Sequence, residues 1–277
     1  MPSSISRRDV LVMASGLGSA IVLGDARATA TPPPVAEPVH ERFPAQAPAL
    51  VQEMVGVSHG GFSRVQALLA ERPTLANAAW DWGFGDWETA LGAASHMGRR
   101  DIADVLIAAG ARPDIFTFAM LGRLDVVRAY VESQPGVQGT KGPHGLTLLH
   151  HARQGGDEAA GVVAYLQEVG GADEPYATVP LTEAQANLLT GQYQRDDSAA
   201  DVIEIGMARD GGLTVKRLPD GTARPLFHLG DLEFHPAGAP AVRLRIVSSP
   251  GGPALLTIMD GPSVLTARQL ATRQPAD

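Results

Sequence analysis

The chain has 277 residues, of which 44% are hydrophobic, 19% charged and 5% aromatic, enough apolar content for a sizeable core and too little charge for a disordered chain or a coiled coil. Its formal charge is −8, and the part beyond residue 30 carries −9 because the first thirty residues hold three arginines and two aspartates; this balance argues against DNA or RNA as a partner, since that affinity rests on Lys and Arg neutralising phosphates. There is no cysteine, which excludes disulfides, thiolate nucleophiles, Cys-ligated zinc and iron–sulfur clusters, yet is no objection to export.

Residues 1–30 read as an address. Ser6-Arg7-Arg8-Asp9-Val10-Leu11 precedes an apolar, Gly- and Ala-rich run from Val12 to Leu23, and Ala26-Arg27-Ala28-Thr29-Ala30 follows. The order is that of a secretory signal, and the paired arginines resemble the bacterial twin-arginine signal peptide. That resemblance implies export through the twin-arginine pathway to the periplasm or beyond, with cleavage after Ala28 or Ala30. An uncleaved anchor is the rival reading, but the run from Asp9 to Gly24 is shorter than the ~20 apolar residues of a spanning helix. No membrane association is expected after cleavage. Residues 31–49 are a Pro-rich linker, from Thr31-Pro32-Pro33-Pro34 through Pro48, a composition that favours extended backbone.

Between residues 50 and 175 the chain is self-similar. The clearest unit contains Thr89, Leu91, Ala93-Ala94, Gly98, Ile102, Val105-Leu106 and Gly110-Ala111, two short amphipathic helices split by one glycine and closed by another. Gly60-Gly61, Val65 and Leu68-Leu69 mark an earlier unit; Gly122, Leu124 and Val126-Val127 mark a truncated one; Thr147-Leu148-Leu149-His150-His151-Ala152, Gly155-Gly156, Val162-Val163 and Leu166 mark a fourth. The third unit lacks most or all of its connecting loop. The pattern resembles ankyrin repeats, with Ala90 and Gly92 where the family has Pro and His. The resemblance implies a row of about four helix pairs, because one pair cannot bury its apolar face alone.

All three tryptophans fall in Trp80-Asp81-Trp82-Gly83-Phe84-Gly85-Asp86-Trp87-Glu88, at the place of the loop, or finger, that precedes an ankyrin helix pair. Two readings compete. Either Trp80, Trp82, Phe84, Trp87 and Asp86 form a partner-binding surface, aromatic and, with Asp81 and Glu88, acidic, or the rings cover the core. His59, His96, His144, His150 and His151 also lie in this half. In ankyrin repeats a His after Thr-x-Leu hydrogen-bonds turn backbone, the place His150 takes. His59 and His96 precede glycines at corresponding positions, which favours a helix-end role over convergence on zinc. Without an H-E-x-x-H or similar close spacing, no metal site is expected.

From residue 180 to 273 the period changes. Leu181–Leu189 reads as a helix capped by Thr182, and short strands follow near 202–205, 213–215, 223–227, 232–234, 242–247, 255–259 and 264–267, separated by turn-forming clusters such as Asp210-Gly211-Gly212 and Pro236-Ala237-Gly238. Six to eight strands with tight turns imply an antiparallel meander, curled sheet or small barrel. Leu189-Thr190-Gly191-Gln192-Tyr193, then Leu226-Phe227 and Glu233-Phe234, resemble the lipocalin-like β domain appended to some periplasmic hydrolases, which usually lacks a catalytic centre of its own. Arg243 and Arg245 read as one solvated face; a curved sheet would be needed to gather them with Arg224 and His228 into an anion site.

The expected fold class is therefore α+β in two domains, an ankyrin-type helical row followed by an antiparallel sheet or barrel. The mature sequence has no Gly-x-Ser-x-Gly elbow, no Ser-x-x-Lys pair opening a helix and no phosphate-cradling glycine loop, so no catalytic residue and no cofactor are assigned. The leading expectation is a periplasmic scaffold that binds another protein or peptide. Its alternatives are a carrier holding a small apolar ligand in the β domain, lined by Tyr193, Phe227 and Phe234, and a hydrolase of unrecognised type.

Overall fold

A computed structural model describes residues 41–195, 198–209, 211–218, 221–248 and 252–270. The leader and residues 31–40 of the Pro-rich stretch lie outside the described residues, and the described residues belong to one compact unit. Among the described residues the chain is α+β, with short helices leading into a closed eight-stranded antiparallel barrel. No described helix is long and apolar enough to cross a membrane.

The helices come in pairs: α1 (Pro48–Val57) with α2 (Phe62–Glu71), α3 (Ala90–His96) with α4 (Arg100–Ala108), α5 (Ile115–Met120) with α6 (Leu124–Ser133), and α7 (Leu148–Gln154) with α8 (Ala160–Val169). The first helices of the pairs pack on one another in chain order, α1 on α3, α3 on α5 and α5 on α7. Three of them begin alike. Thr89, Asp114 and Thr147 each accept a hydrogen bond from the backbone N–H three residues on, satisfying donors that a helix start leaves open. Each pair buries one apolar stripe, such as Val65 and Leu68 on α2 or Ile102 and Leu106 on α4, each large side chain contributing roughly 1.5–3 kcal/mol when fully buried. The turn between α3 and α4 needs glycine: Gly98 has φ +66°, and a Cβ there would lie 2.4 Å from the Gln154 carbonyl oxygen.

A two-stranded hairpin, β1 (Ala79–Asp81) and β2 (Trp87–Thr89), stands before α3, with Trp80 opposite Glu88 and Asp81 opposite Trp87. No such hairpin precedes α5, where only residues 109–114 intervene. The loop before α7 is closed by a bridge between Lys141 and Thr147, and its tip reaches the β1–β2 hairpin, where the His144 backbone N–H donates to Asp86.

Helix α9 (Glu183–Leu189) leads into the barrel and begins with a reciprocal cap between Thr182 and Gln185. The strands are β3 (Gly191–Arg195), β4 (Ser198–Met207), β5 (Leu213–Leu218), β6 (Arg224–Gly230), β7 (Glu233–Pro236), β8 (Arg243–Val247), β9 (Leu255–Asp260) and β10 (Ser263–Gln269). Each pairs with its sequence neighbour, and β10 closes on β3. Alternation supplies the core: Ile203 and Ile205, Leu213 and Val215, Leu244 and Ile246, Leu256 and Ile258 all point inward. Tyr193 and Phe234 fill the interior with them, and the Tyr193 hydroxyl donates to the Leu189 carbonyl of α9 at 2.7 Å. Burial pushes that phenol up to about 12.

Candidate functional site

The β1–β2 hairpin sorts its side chains by strand alternation. On β2, Trp87 and Thr89 face outward while Glu88 between them is buried. Trp87 is 63% exposed. Trp80 and Trp82 lie half-buried against the core of the first two helix pairs, and the Trp82 indole N–H donates to Glu88 Oε2 at 2.7 Å. Phe84, at the hairpin tip with φ +62°, packs instead against the barrel core.

Asp86 and Glu88 are 2% and 1% exposed, so neither belongs to an outer surface, and the acidic form of the binding-surface reading is corrected at these two positions. Asp86 takes the backbone N–H of His144 on Oδ1 at 2.9 Å, while His144 Nδ1 lies 2.8 Å and the Arg224 guanidinium 2.9 Å from its Oδ2. Arg224 opens strand β6 and also donates to the Trp82 carbonyl, so the hairpin joins the helical row to the barrel. Gly238 makes room for this arrangement: its φ is +79°, and a Cβ would stand 2.5 Å from Asp86 Oδ1. The anion site considered for Arg224, Arg243 and Arg245 does not form, because Arg224 turns to Asp86 whereas Arg243 and Arg245 pair with Glu233.

Glu88 is the hub of a histidine cluster. His96 Nε2 lies 2.8 Å from Glu88 Oε1, His144 Nε2 3.3 Å from the same oxygen and His59 Nε2 3.5 Å from Oε2. The four come from separate segments: the turn after α1, strand β2, the last residue of α3 and the Pro143–Gly145 turn. The sequence argued against convergence of His59 and His96, yet their rings stand with centroids 5.0 Å apart. Packing of α1 on α3 explains this, since it brings the ends of the two helices side by side. The helix-end role is also present, because His59 Nδ1 lies 3.0 Å from the Gly56 carbonyl and 3.2 Å from that of Val55. His150 contacts backbone, its Nε2 lying 3.3 Å from the His96 carbonyl.

Burial works to raise both carboxylates, but the His144 ring and its backbone N–H at Asp86, and the His144 and His96 rings at Glu88, outweigh it. Asp86 is held below the ordinary carboxylate range and Glu88 falls to about 2. Burial likewise opposes charge on His144, yet Asp86 and Glu88 raise it to about 9. His151 behaves in the opposite way. Fully buried, with its Nδ1 against the Thr147 carbonyl at 2.8 Å, it is pushed down to about 4 by burial.

The cluster's polar inventory is incomplete. Glu88 Oε1 and His96 Nε2 are buried without an aligned hydrogen-bond partner although they are 2.8 Å apart. Beside the cluster, on the outer side of the hairpin, a cleft of roughly 290 Å³ is lined by Trp87, Thr89, Asp114, Phe116, Lys141 and Pro143 among others. Comparison of the chain with family models, curated proteins and solved structures gave no match.

Proposed function

We propose that this is an exported interaction protein that holds a peptide or protein segment against the outer face of its Trp-rich hairpin. The twin-arginine-like leader Ser6-Arg7-Arg8-Asp9-Val10-Leu11 supports action in the periplasm or outside the cell. An ankyrin-type reading of residues 50–175 is supported by four helix pairs, by Thr89, Asp114 and Thr147 recurring as caps, and by the hairpin entering α3. In such a row the hairpin and the first helices are the binding face.

One observation carries the proposal: Trp87 is 63% exposed beside the cleft, while its neighbours Asp86 and Glu88 are buried and pinned. A rigid backbone thus presents a large ring at little cost in conformational freedom, the property that makes tryptophan frequent in binding hot spots. Lys141 and Asp114 at the cleft supply charge of both signs for orienting a backbone or side chain.

A lipocalin-like reading of residues 180–273 is supported by the eight-stranded closed barrel. A carrier role for it is not favoured, since Tyr193, Phe234, Leu244, Ile246 and Leu256 are fully buried in one continuous core.

The test is a photo-activatable side chain introduced at position 87 and, as a control, at the exposed Tyr130 on α6, with irradiation in intact cells. A discrete covalent adduct to one protein, formed from position 87 and absent from position 130, is expected. Identical adduct patterns from both positions, or none from either, would overturn the assignment.

A further inference from the structure

We propose that His59, Glu88, His96 and His144 form a binding site for one first-row transition-metal dication, with Zn2+ the best match to the donor set. This inference is independent of the partner reading above.

The donors point to this class of ion. Three imidazole nitrogens and one carboxylate oxygen suit Zn2+ and its neighbours, whereas Ca2+ and Mg2+ take oxygen ligands. The spacing agrees. One donor atom from each residue can be chosen so that all lie within 4.8 Å of one another, and the closest contacts to Glu88 run from 2.8 to 3.5 Å. Four ligands at the usual zinc distance stand about 3.3 Å apart at the corners of a tetrahedron.

Two further features distinguish the cluster from an ordinary buried ion pair. Glu88 Oε1 and His96 Nε2 are buried and close, but neither has an aligned hydrogen bond. Donor atoms that converge on a common point in this way are what a bound cation requires. The rings are also oriented from behind. His144 Nδ1 faces Asp86, and His59 Nδ1 faces the carbonyls of Val55 and Gly56, so a cation that displaces any Nε2 proton leaves each ring's remaining proton on Nδ1 with an acceptor and Nε2 turned to the centre. A carboxylate or carbonyl behind a histidine performs this service at metal centres, fixing the tautomer and raising ligand basicity.

The site also has an entrance. Glu88 and His96 form its floor, their side chains 0% and 7% exposed, whereas those of His59 and His144 are 31% and 32% exposed and form its rim. An ion entering between the two rim histidines would bind together the end of α1, the hairpin, the end of α3 and the loop before α7.

The experiment uses the full-length chain, prepared without a histidine tag, stripped with a chelator and titrated with Co2+ or Zn2+ alone. One Co2+ per chain is expected, with the intense visible absorption of four-coordinate cobalt, displaced stoichiometrically by Zn2+ of sub-micromolar Kd. His59→Gln and His144→Gln should each weaken Zn2+ by at least ~100-fold, and Asp86→Asn, behind the ligand, by about 10- to 100-fold. His228→Gln in the barrel should leave binding unchanged. Far-UV circular dichroism of each metal-free variant shows whether it is folded, and the unsubstituted chain decides the matter if any is not. Absence of stoichiometric binding by that chain, or undiminished affinity in a folded His59→Gln/His144→Gln variant, would overturn the site.

Discussion

The barrel and the hairpin junction bury their polar groups in different ways. In the barrel the buried carboxylate Asp201 meets Arg195 at 2.6 Å and Arg217 at 2.7 Å, and the Arg217 side chain is 71% exposed, so that network stays in contact with water. At the junction, Asp86, Glu88, His96 and Arg224 are all nearly or fully buried within one hydrogen-bonding neighbourhood. A chain gains little stability by removing the charges of Asp86, Glu88 and Arg224 from water, because desolvation offsets much of their attraction. Packing alone therefore explains the barrel's interior but not the junction's composition. Concentrated buried charge is a pointer to a site.

The strongest way to break this comparison is to remove one charge from the junction. Arg224→Ala leaves Asp86 buried without its guanidinium and is expected to cost about 3–5 kcal/mol in urea denaturation. Adding Asp86→Ala should recover part of that loss, since the orphaned charge goes with it; strictly additive losses would show that the two groups are not coupled.

The next effect is on pH dependence in metal-free protein. His144 binds its proton more tightly when folded, about 9 against 6.5, so its stabilising effect is complete below about 6.5 and disappears as pH climbs through about 9. We expect a loss on the order of 1–2 kcal/mol over that range, allowing for the solvent that reaches the ring, and a flatter profile in His144→Gln. His151 has the opposite sign: held at about 4, it contributes stability above 6.5 that is lost as pH falls toward 4. Denaturation midpoints from pH 4 to 10 should therefore peak near neutrality. A midpoint that keeps rising between pH 7 and 9 would contradict the assignment of His144.

Smaller effects belong to the barrel and its leading helix. Thr182→Ala removes the reciprocal cap of α9 and should cost about 1 kcal/mol. Arg245→Ala breaks an exposed pair with Glu233 and should change stability by less than about 1 kcal/mol. A loss from Arg245→Ala as large as that from Arg224→Ala would erase the contrast between the two regions.

Much of the secondary structure was legible from period and punctuation. Glycine-split amphipathic segments marked the helices of the pairs, Thr182 marked the start of α9, and alternation with turn clusters marked most of the barrel strands. Strand β3 was harder to read, because Gly191-Gln192-Tyr193-Gln194-Arg195 carries one large apolar residue in five. The hairpin was located by its tryptophans, but which residues it buries was not. Phase decides that: only once Trp80 is paired with Glu88 does the alternation send Glu88 inward and Trp87 outward.

The histidine cluster leaves a trace in the sequence. His59 and His96 precede glycines at corresponding positions, and packing of α1 on α3 brings them together. The remaining histidine, His144, lies 58 residues from its partner Asp86, and no local spacing rule connects them. What the amino-acid order determined alone was local: where helices start and stop, where the period changes from helix to strand, and the resemblance of the first residues to an export signal. The tertiary structure decided the rest. The loop before α7 brings His144 to Asp86 of the hairpin, and Arg224 at the start of β6 meets the same carboxylate. Both are long-range juxtapositions, set by how apolar faces pack rather than by any neighbouring residue.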